Sequence, residues 1–307
     1  MLRSGPSGAT IDIVMRLIVT ADLHYDHAKS RPSADDIISN INATGCDVLL
    51  VVGDAAASAG TAIEECLSRF KHRGPKLFVP GNHELWTMEA DSYALFTQEL
   101  PRRIRKIGWH WLETEPFVAD SIAIVGTLGW YDYSFAQPDL GIPVRFYQKK
   151  VSPGAAAYFS AHAALLNPSD DISLKAMEIV ARWNDGRFIR LHRSDEQFLS
   201  ELLTKLRGQL NELTDNLHRS TRDMRIVAAT HHLPFRELLP PSHSAQWDFT
   251  KAYLGSEKLG QLLNDFPHIT HAFCGHSHFP ARARIGHIDA INIGAGYRQK
   301  SFKTITL

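Results

Sequence analysis

Gly81-Asn82-His83-Glu84 sets an amide, an imidazole and a carboxylate side by side, directly behind the apolar run Leu77-Phe78-Val79-Pro80. Such a triplet on a glycine turn builds a core poorly and aims polar side chains well. Other apolar runs end in the same way. Asp22-Leu23-His24 follows Leu17 to Thr20, and Gly53-Asp54 follows Val48 to Val52. His231-His232 follows Ile226 to Thr230, and Gly275-His276-Ser277-His278 follows Ile269 to Cys274. Carboxylate, imidazole and amide without thiolate form a donor mix that suits Mn²⁺, Fe, Zn²⁺ or Co²⁺. Asp22 and His24 are two positions apart, as are His276 and His278. On extended chain each pair projects to one side and can share a cation. Taken singly, a DxH or a GHxH is explained by a turn or by a hydrogen-bonded histidine. Together, in this order and each ending an apolar run, they point to a metal site.

Residues delivered in this way need strands to deliver them. Arg16 to Thr20, Val48 to Val52 and Leu77 to Val79 read as buried strands, short apolar runs bounded by polar residues. Between them, Ser33 to Thr44 and Thr61 to Phe70 read as helices. Ser33 with Asp36 and Thr61 with Glu64 have capping-box spacing, and Gly45 is a stop. Strand-helix-strand with short connections signals an α/β sheet, whose ligands bind beyond the carboxyl ends of the strands. Ile107 to Leu112 and Ser121 to Thr127 add two strands. Residues 130–223 then contain no convincing strand. Their clearest helix runs from Ser194, with Gln197 at the capping-box position, to about Leu217. Leu199, Leu202, Leu206, Leu210, Leu213 and Leu217 give it one apolar stripe for packing. Alternation returns with strands at Arg225 to Thr230, Ile269 to Cys274, Ile288 to Ile293 and Phe302 to Leu307, and a helix near Ser256 to Asn264. The expectation is one domain over residues 15–307, with a helical insertion at about 130–223 that either caps the site or mediates an oligomer contact. Residues 1–14, ahead of Met15, read as an N-terminal extension, or as an edge segment formed by Ile11 to Val14.

Composition excludes several alternatives. The 307 residues are 44% hydrophobic and 21% charged, ordinary for a chain that buries a sizeable core. Net charge is zero, from 33 basic and 33 acidic residues, so no global field recruits nucleic acid or an anionic membrane. The basic run Arg102-Arg103-Ile104-Arg105-Lys106 reads as a solvated face. Cys46, Cys66 and Cys274 form no CxxC, which argues against a disulfide framework and for a cytoplasmic setting. No run reaches the ~18 apolar residues of a membrane span.

From Asp22 to His278 the chain resembles the calcineurin-like metallophosphoesterase superfamily, whose pattern is D-x-H, G-D, G-N-H-[DE], H and G-H-x-H. GNHE is the most specific piece. The resemblance implies an α/β (α+β) fold, a β-sandwich of two mixed sheets flanked by helices. It implies a dinuclear metal site that hydrolyses a phosphomonoester or phosphodiester of a small molecule through a metal-bridging hydroxide. Asp22, His24, Asp54 and His278 would hold one metal; Asp54, Asn82, His231 and His276 the other. His83 would contact the phosphoryl oxygens or protonate the leaving group. Physics supports these roles, because one carboxylate can hold two cations roughly 3.5–4 Å apart, which suits a bridging Asp54. Mn²⁺ is the ion expected to activate best in vitro.

Other positions have two readings. Glu84 either orients an imidazole or lies on the surface, and His232 competes with His231 as the ligand. Asp26 and His27 either reach the site or are ordinary loop residues. Trp86, Trp130, Tyr131 and Tyr133 either line a pocket or pack the core, and Trp130, Tyr131 and Asp132 are the insertion residues placed nearest a ligand. A nuclease or nucleotide pyrophosphatase on the same fold is the alternative activity. A non-catalytic scaffold would have lost some of the ligand positions, and here all are filled.

Overall fold

The computed structural model describes residues 14–219 and 224–307. Residues 1–13 of the proposed N-terminal extension, including Ile11 to Ile13, fall outside them. Among the described residues the strands are β1 (Arg16–Thr20), β2 (Val48–Val52), β3 (Lys76–Val79), β4 (His110–Trp111), β5 (Phe117–Ala119), β6 (Ile122–Thr127), β7 (Arg225–Thr230), β8 (Ile269–Cys274), β9 (Ala281–Ile285), β10 (Ile288–Asn292) and β11 (Phe302–Thr306). They form two sheets, ordered β11-β1-β2-β3-β4 and β5-β6-β7-β8-β10-β9. The inner strands run parallel, while β11, β5 and β9 are antiparallel at edges, so both sheets are mixed.

Successive residues of each inner strand enter different cores. Leu17, Val19, Leu50, Val52, Leu77 and Val79 meet Ile124, Val227, Ala229 and Phe273 of the other sheet. Ile18, Leu49, Val51 and Phe78 instead pack with Ile38, Ile41 and Ile63, which lie on the helices Arg31–Thr44 and Ala62–Ser68. On the far side, Val125, Ile226, Ala228 and Ala272 pack against Leu206, Leu210 and Leu213 of the helix Asp195–Arg219 and Leu259 and Leu262 of the helix Glu257–Asn264. Strands covered on both faces need no polar alternation, which is why they read as unbroken apolar runs.

Several local expectations are corrected. The first helix starts at Arg31 with Pro32 in its opening turn and Ser30 at its N-cap, and no side-chain cap is made, so Ser33 lies inside it. Thr61 stands at the next N-cap, yet its hydroxyl bonds Glu65 rather than a backbone amide. Ile107 ends the helix Leu100–Lys106, and β4 covers only His110–Trp111. Within that helix Arg103 is no solvated charge. Its guanidinium bonds Glu64 twice (2.6 and 2.8 Å) and the carbonyls of Ser58 and Gly60 (both 2.8 Å). The capping box at Ser194 and Gln197 does form, each accepting the other's backbone amide at 3.1 and 2.9 Å. The side chain of Leu217 lies outside the described residues, but Leu199 to Leu213 of the stripe are buried. Among the described residues no helix is long and apolar enough to cross a membrane.

Candidate metal centre

The chain delivers the site at the carboxyl ends of five strands, β1, β2, β3, β7 and β8, drawn from both sheets. The delivery is not extended chain. Asp22, His24, Asp54, His276 and His278 all have positive φ, between 43° and 67°. Left-handed backbone is uncommon for residues other than glycine and costs of order 1–3 kcal/mol each when the surroundings impose it. The paired residues therefore converge because the backbone coils back past the strand end. The spacing argument for Asp22/His24 and His276/His278 is corrected accordingly.

Two groups of donors result. Asp22, His24, Asp54 and His278 bring one ligand atom each within 4.8 Å of one another, and so do Asp54, His231 and His276. In the first group, His24 Nε2 and His278 Nε2 stand 2.9 Å apart, and Asp54 Oδ2 is 3.7 Å from His24 Nε2. In the second, His231 Nε2 is 3.2 Å from Asn82 Oδ1, 3.2 Å from His276 Nδ1 and 3.3 Å from Asp54 Oδ1. Asp54 thus turns one oxygen to each group. Asp22 Oδ2 is buried without a hydrogen-bond partner, an expensive state for a carboxylate unless a cation satisfies it. Both groups fit a hard or borderline divalent ion.

Electrostatics agree with that fit. Burial, reinforced by neighbouring imidazoles, holds His24 and His276 well below the ordinary histidine range, and so in the neutral form a metal needs. Burial alone would raise Asp54, but the imidazoles of His231, His83 and His24 outweigh it and hold the carboxyl well below its usual range. Burial likewise pulls His231 down, yet Asp54 overcomes it and raises that imidazole to about 9, so metal and proton compete for one nitrogen. Glycine makes the approach possible, since a Cβ on Gly81 would lie 2.1 Å from Asp54 Oδ1.

Glu84 does neither of the things expected of it. It is fully buried, and its hydrogen-bond partners are backbone amides rather than an imidazole. Its Oε1 accepts the amides of Ala55 (2.7 Å) and Ala56 (3.2 Å), and its Oε2 those of Asp54 (2.9 Å) and Gly81 (2.6 Å). Burial, with the Asp54 charge, raises its proton affinity toward about 8, but four converging donors leave no acceptor for that proton. The geometry therefore holds the carboxylate. Glu84 fastens the Asp54 loop to the Gly81 turn.

His83 stands over the donors. Its ring stacks on Trp86 at 3.7 Å, its backbone N–H donates to Asp54 Oδ1 at 3.0 Å, and its Nε2 is 3.9 Å from Asp54 Oδ2. It lines a cleft of about 280 Å³ together with Trp86, Arg182, Trp183, Trp247 and Tyr297. Trp130, Tyr131 and Asp132 do not line it. Trp130 and Tyr131 are wholly buried, with the indole bonded to Asp195 and the phenol to Asp185, and Asp132 pairs with Lys258. Tyr133 borders a different cavity, and Asp26 and His27 are exposed loop residues. His232 is not in either donor group. Its Nδ1 meets the Leu128 carbonyl at 3.1 Å, its ring packs 4.2 Å from that of His276, and burial beside His231 lowers it to about 3.

Sequence reasoning missed Arg182, Trp183, Asp185, Trp247, Tyr297 and Lys300. Tyr297 stacks on His24 at 4.7 Å, and the Lys300 ammonium donates to the Asp22 carbonyl at 2.5 Å. None stands behind an apolar run, so strand-end punctuation could not find them.

Known proteins resemble this chain in sequence and fold. A family model described as calcineurin-like phosphoesterase matches residues 15–280. The [acyl-carrier-protein] phosphodiesterase PptH of Mycobacterium tuberculosis is 32% identical over 97 residues, a span of 31% of this chain and 29% of that protein. The crystal structure of phosphopantetheinyl hydrolase (PptH) from Mycobacterium tuberculosis superposes with a TM-score of 0.63 at 19% identity, covering 92% of this chain and 89% of that one. TT1561 of Thermus thermophilus superposes with a TM-score of 0.51 at 12% identity, covering 96% and 99%. At these identities the structural likenesses establish the fold, two mixed sheets flanked by helices. By the match over most of its length, the chain belongs to the calcineurin-like phosphoesterase family.

Proposed function

We propose that this protein is a dinuclear metal-dependent phosphoesterase acting on a small phosphoester, with a diester favoured over a monoester. The observation that carries the reading is the pair of buried donor groups sharing Asp54 beneath a cleft that His83 lines. Asp22, His24, Asp54 and His278 would hold one ion, and Asp54, Asn82, His231 and His276 the other, with Mn, Fe, Zn or Co as the ions and Mn²⁺ the best activator in vitro. Bound there, two such ions would supply Lewis acidity and an ionised water near neutral pH. The chain's own residues do the rest. Asp54 fixes the spacing of the two groups, and the Trp86 face holds the His83 ring. His83 would contact the phosphoryl group or give a proton to the departing oxygen. Trp86, Trp183, Trp247 and Tyr297 wall the cleft and exclude water around an organic arm. Among the described residues Arg182 is the one lysine or arginine lining that cleft, which suits a singly charged diester better than a monoester dianion.

Residues 182–184 belong to the segment at 130–223, so we read that segment as a cap on a single domain at 15–307 rather than as an oligomer contact. The relatives' names make a phosphopantetheinyl diester, free or carried on a protein, the first substrate to assay. Free Cys46, Cys66 and Cys274 support a cytoplasmic setting. The test is a panel of phosphomonoesters, cyclic and linear diesters, nucleotides, pyrophosphates and single-stranded nucleic acid, run with Mn²⁺ and with chelator. Chelator-sensitive turnover concentrated on small diesters is expected. Turnover confined to nucleic acid, or none anywhere with two ions bound, refutes the proposal.

A further inference from the structure

We infer that Asp185, carried by the insertion, is a positioning residue that sets the Asn82 amide as a metal ligand from behind. Asp185 opens the short helix Asp185–Phe188 and is 1% exposed. Its Oδ1 accepts the Asn82 side-chain amide at 2.9 Å and the Trp86 indole at 2.7 Å. Its Oδ2 accepts the Trp183 indole at 2.8 Å and the Tyr131 hydroxyl at 3.1 Å. Four donors from three places in the chain, the Asn82–Trp86 turn, Tyr131 and Trp183, thus fill its acceptor sites. A carboxylate only accepts, so it can bond Asn82 only through the NH₂ group. That choice turns Oδ1 the other way, where it stands 3.2 Å from His231 Nε2. An amide is nearly symmetric in shape, so a partner that only accepts on one side favours oxygen over nitrogen on the other.

The charge of Asp185 points the same way. Among the described residues no lysine, arginine or histidine nitrogen forms an ion pair with it, so a buried anion is met by neutral donors alone. An anion behind the NH₂ polarises the amide and makes its oxygen a better ligand, as carboxylates do behind metal-bound histidines. The same oxygen fixes Trp86, on whose face His83 stacks, so one atom registers a ligand and the support of the proton donor. Arg182, Trp183 and Asn184 directly precede Asp185 and line the cleft. The segment that shapes the rim therefore also ties the metal floor to it.

This inference rests on the metal-site reading, and its test separates the two. Full-length protein stripped by chelator is titrated calorimetrically with Mn²⁺. Two binding events in the wild type uphold the reading of the site, and none refutes that reading rather than this inference. Asp185→Asn is expected to weaken one event by about 10- to 100-fold and leave the other unchanged. In an Asn82→Ala background the same substitution is expected to add nothing, since it acts through Asn82. Equal loss at both sites, or the full loss repeated in the Asn82→Ala background, would show a merely structural role and overturn the inference. If Asp185→Asn does not fold, the wild-type Asn82 side-chain amide decides by NMR. NH₂ protons protected from solvent exchange support the bond to Asp185, and rapidly exchanging ones overturn it.

Discussion

Replacing Glu84 with glutamine keeps the side chain's shape and removes half of what it does. Each oxygen of Glu84 accepts two backbone amides. Glutamine retains one oxygen and turns an NH₂ toward the other pair, so two buried N–H groups face a donor whichever way the amide settles. Hydrogen bonds to charged groups are each worth about 1.5–3 kcal/mol, so the loss is about 3–6 kcal/mol. That is a large part of a total stability of about 5–15 kcal/mol, and it corresponds to a fall in Tm of roughly 10 °C. The bonds at risk include the amides of Asp54 and Gly81, so the carboxylate common to both donor groups loses its anchor as well. The assay is calorimetric melting with and without Mn²⁺, together with metal content after gel filtration. Glu84→Gln is expected to melt lower in both states and to retain less metal. A variant that melts within about 2 °C of the wild type, a shift worth under ~1 kcal/mol, and keeps its metal would refute the reasoning.

Three further substitutions probe the same architecture. Asp54→Asn removes the charge that both donor groups share, so occupancy should fall at both sites; elemental analysis showing two ions retained would remove its bridging role. His83→Ala should keep the metals and lose ~10²–10⁴ in kcat, less for a nitrophenyl ester that needs no proton on its leaving group. An equal loss across leaving groups would assign His83 to phosphoryl binding. Glu113 lies outside the site, where burial raises it from 4.5 to about 7 against the opposing Leu128 amide. The folded state then binds the proton more tightly than the unfolded state, so this residue's contribution is full below pH ~4.5 and is lost as the pH rises through ~7. Denaturant unfolding of Glu113→Gln across that window should show a flatter slope than the wild type, and an unchanged slope would remove Glu113 from the pH dependence.

What the sequence disclosed follows from where the candidate ligands lie. Asp22, Asp54, Asn82, His231 and His276 each stand within three residues of a strand end, so an apolar run and its polar successor are adjacent in one dimension as well as in three. Asp185 has no such marker. It reaches Asn82 across 103 positions of sequence, from inside the helical segment between β6 and β7 and far from the end of either strand. Glu84 was visible as a residue and opaque as a role, because its partners are backbone amides, which every residue carries. The helix Leu100–Lys106 went unread because Pro101 falls in its first turn and its arginines resemble a solvated face. The edge strands β5 and β9 were missed for a related reason. Phe117–Ala119 is too short to show a period, and Ala281–Ile285 exposes its arginines, so neither has the two covered faces that made the inner strands legible.

Neither sheet owns the centre. β1, β2 and β3 carry Asp22, His24, Asp54 and Asn82, while β7 and β8 carry His231, His276 and His278, and the His276 amide already donates to Asp22 Oδ1 across 254 positions. Ions held by both sets would clasp the two halves of the sandwich, and unfolding would have to release them. Saturation at 100 times the dissociation constant adds about 2.7 kcal/mol to folding for each independent site, a hundredfold cut in the unfolded population. The supply of the ion would then set the lifetime of the polypeptide as well as its activity. Where the ion is scarce, the opened sandwich is what proteases meet, and the amount of protein in the cell would track the metal.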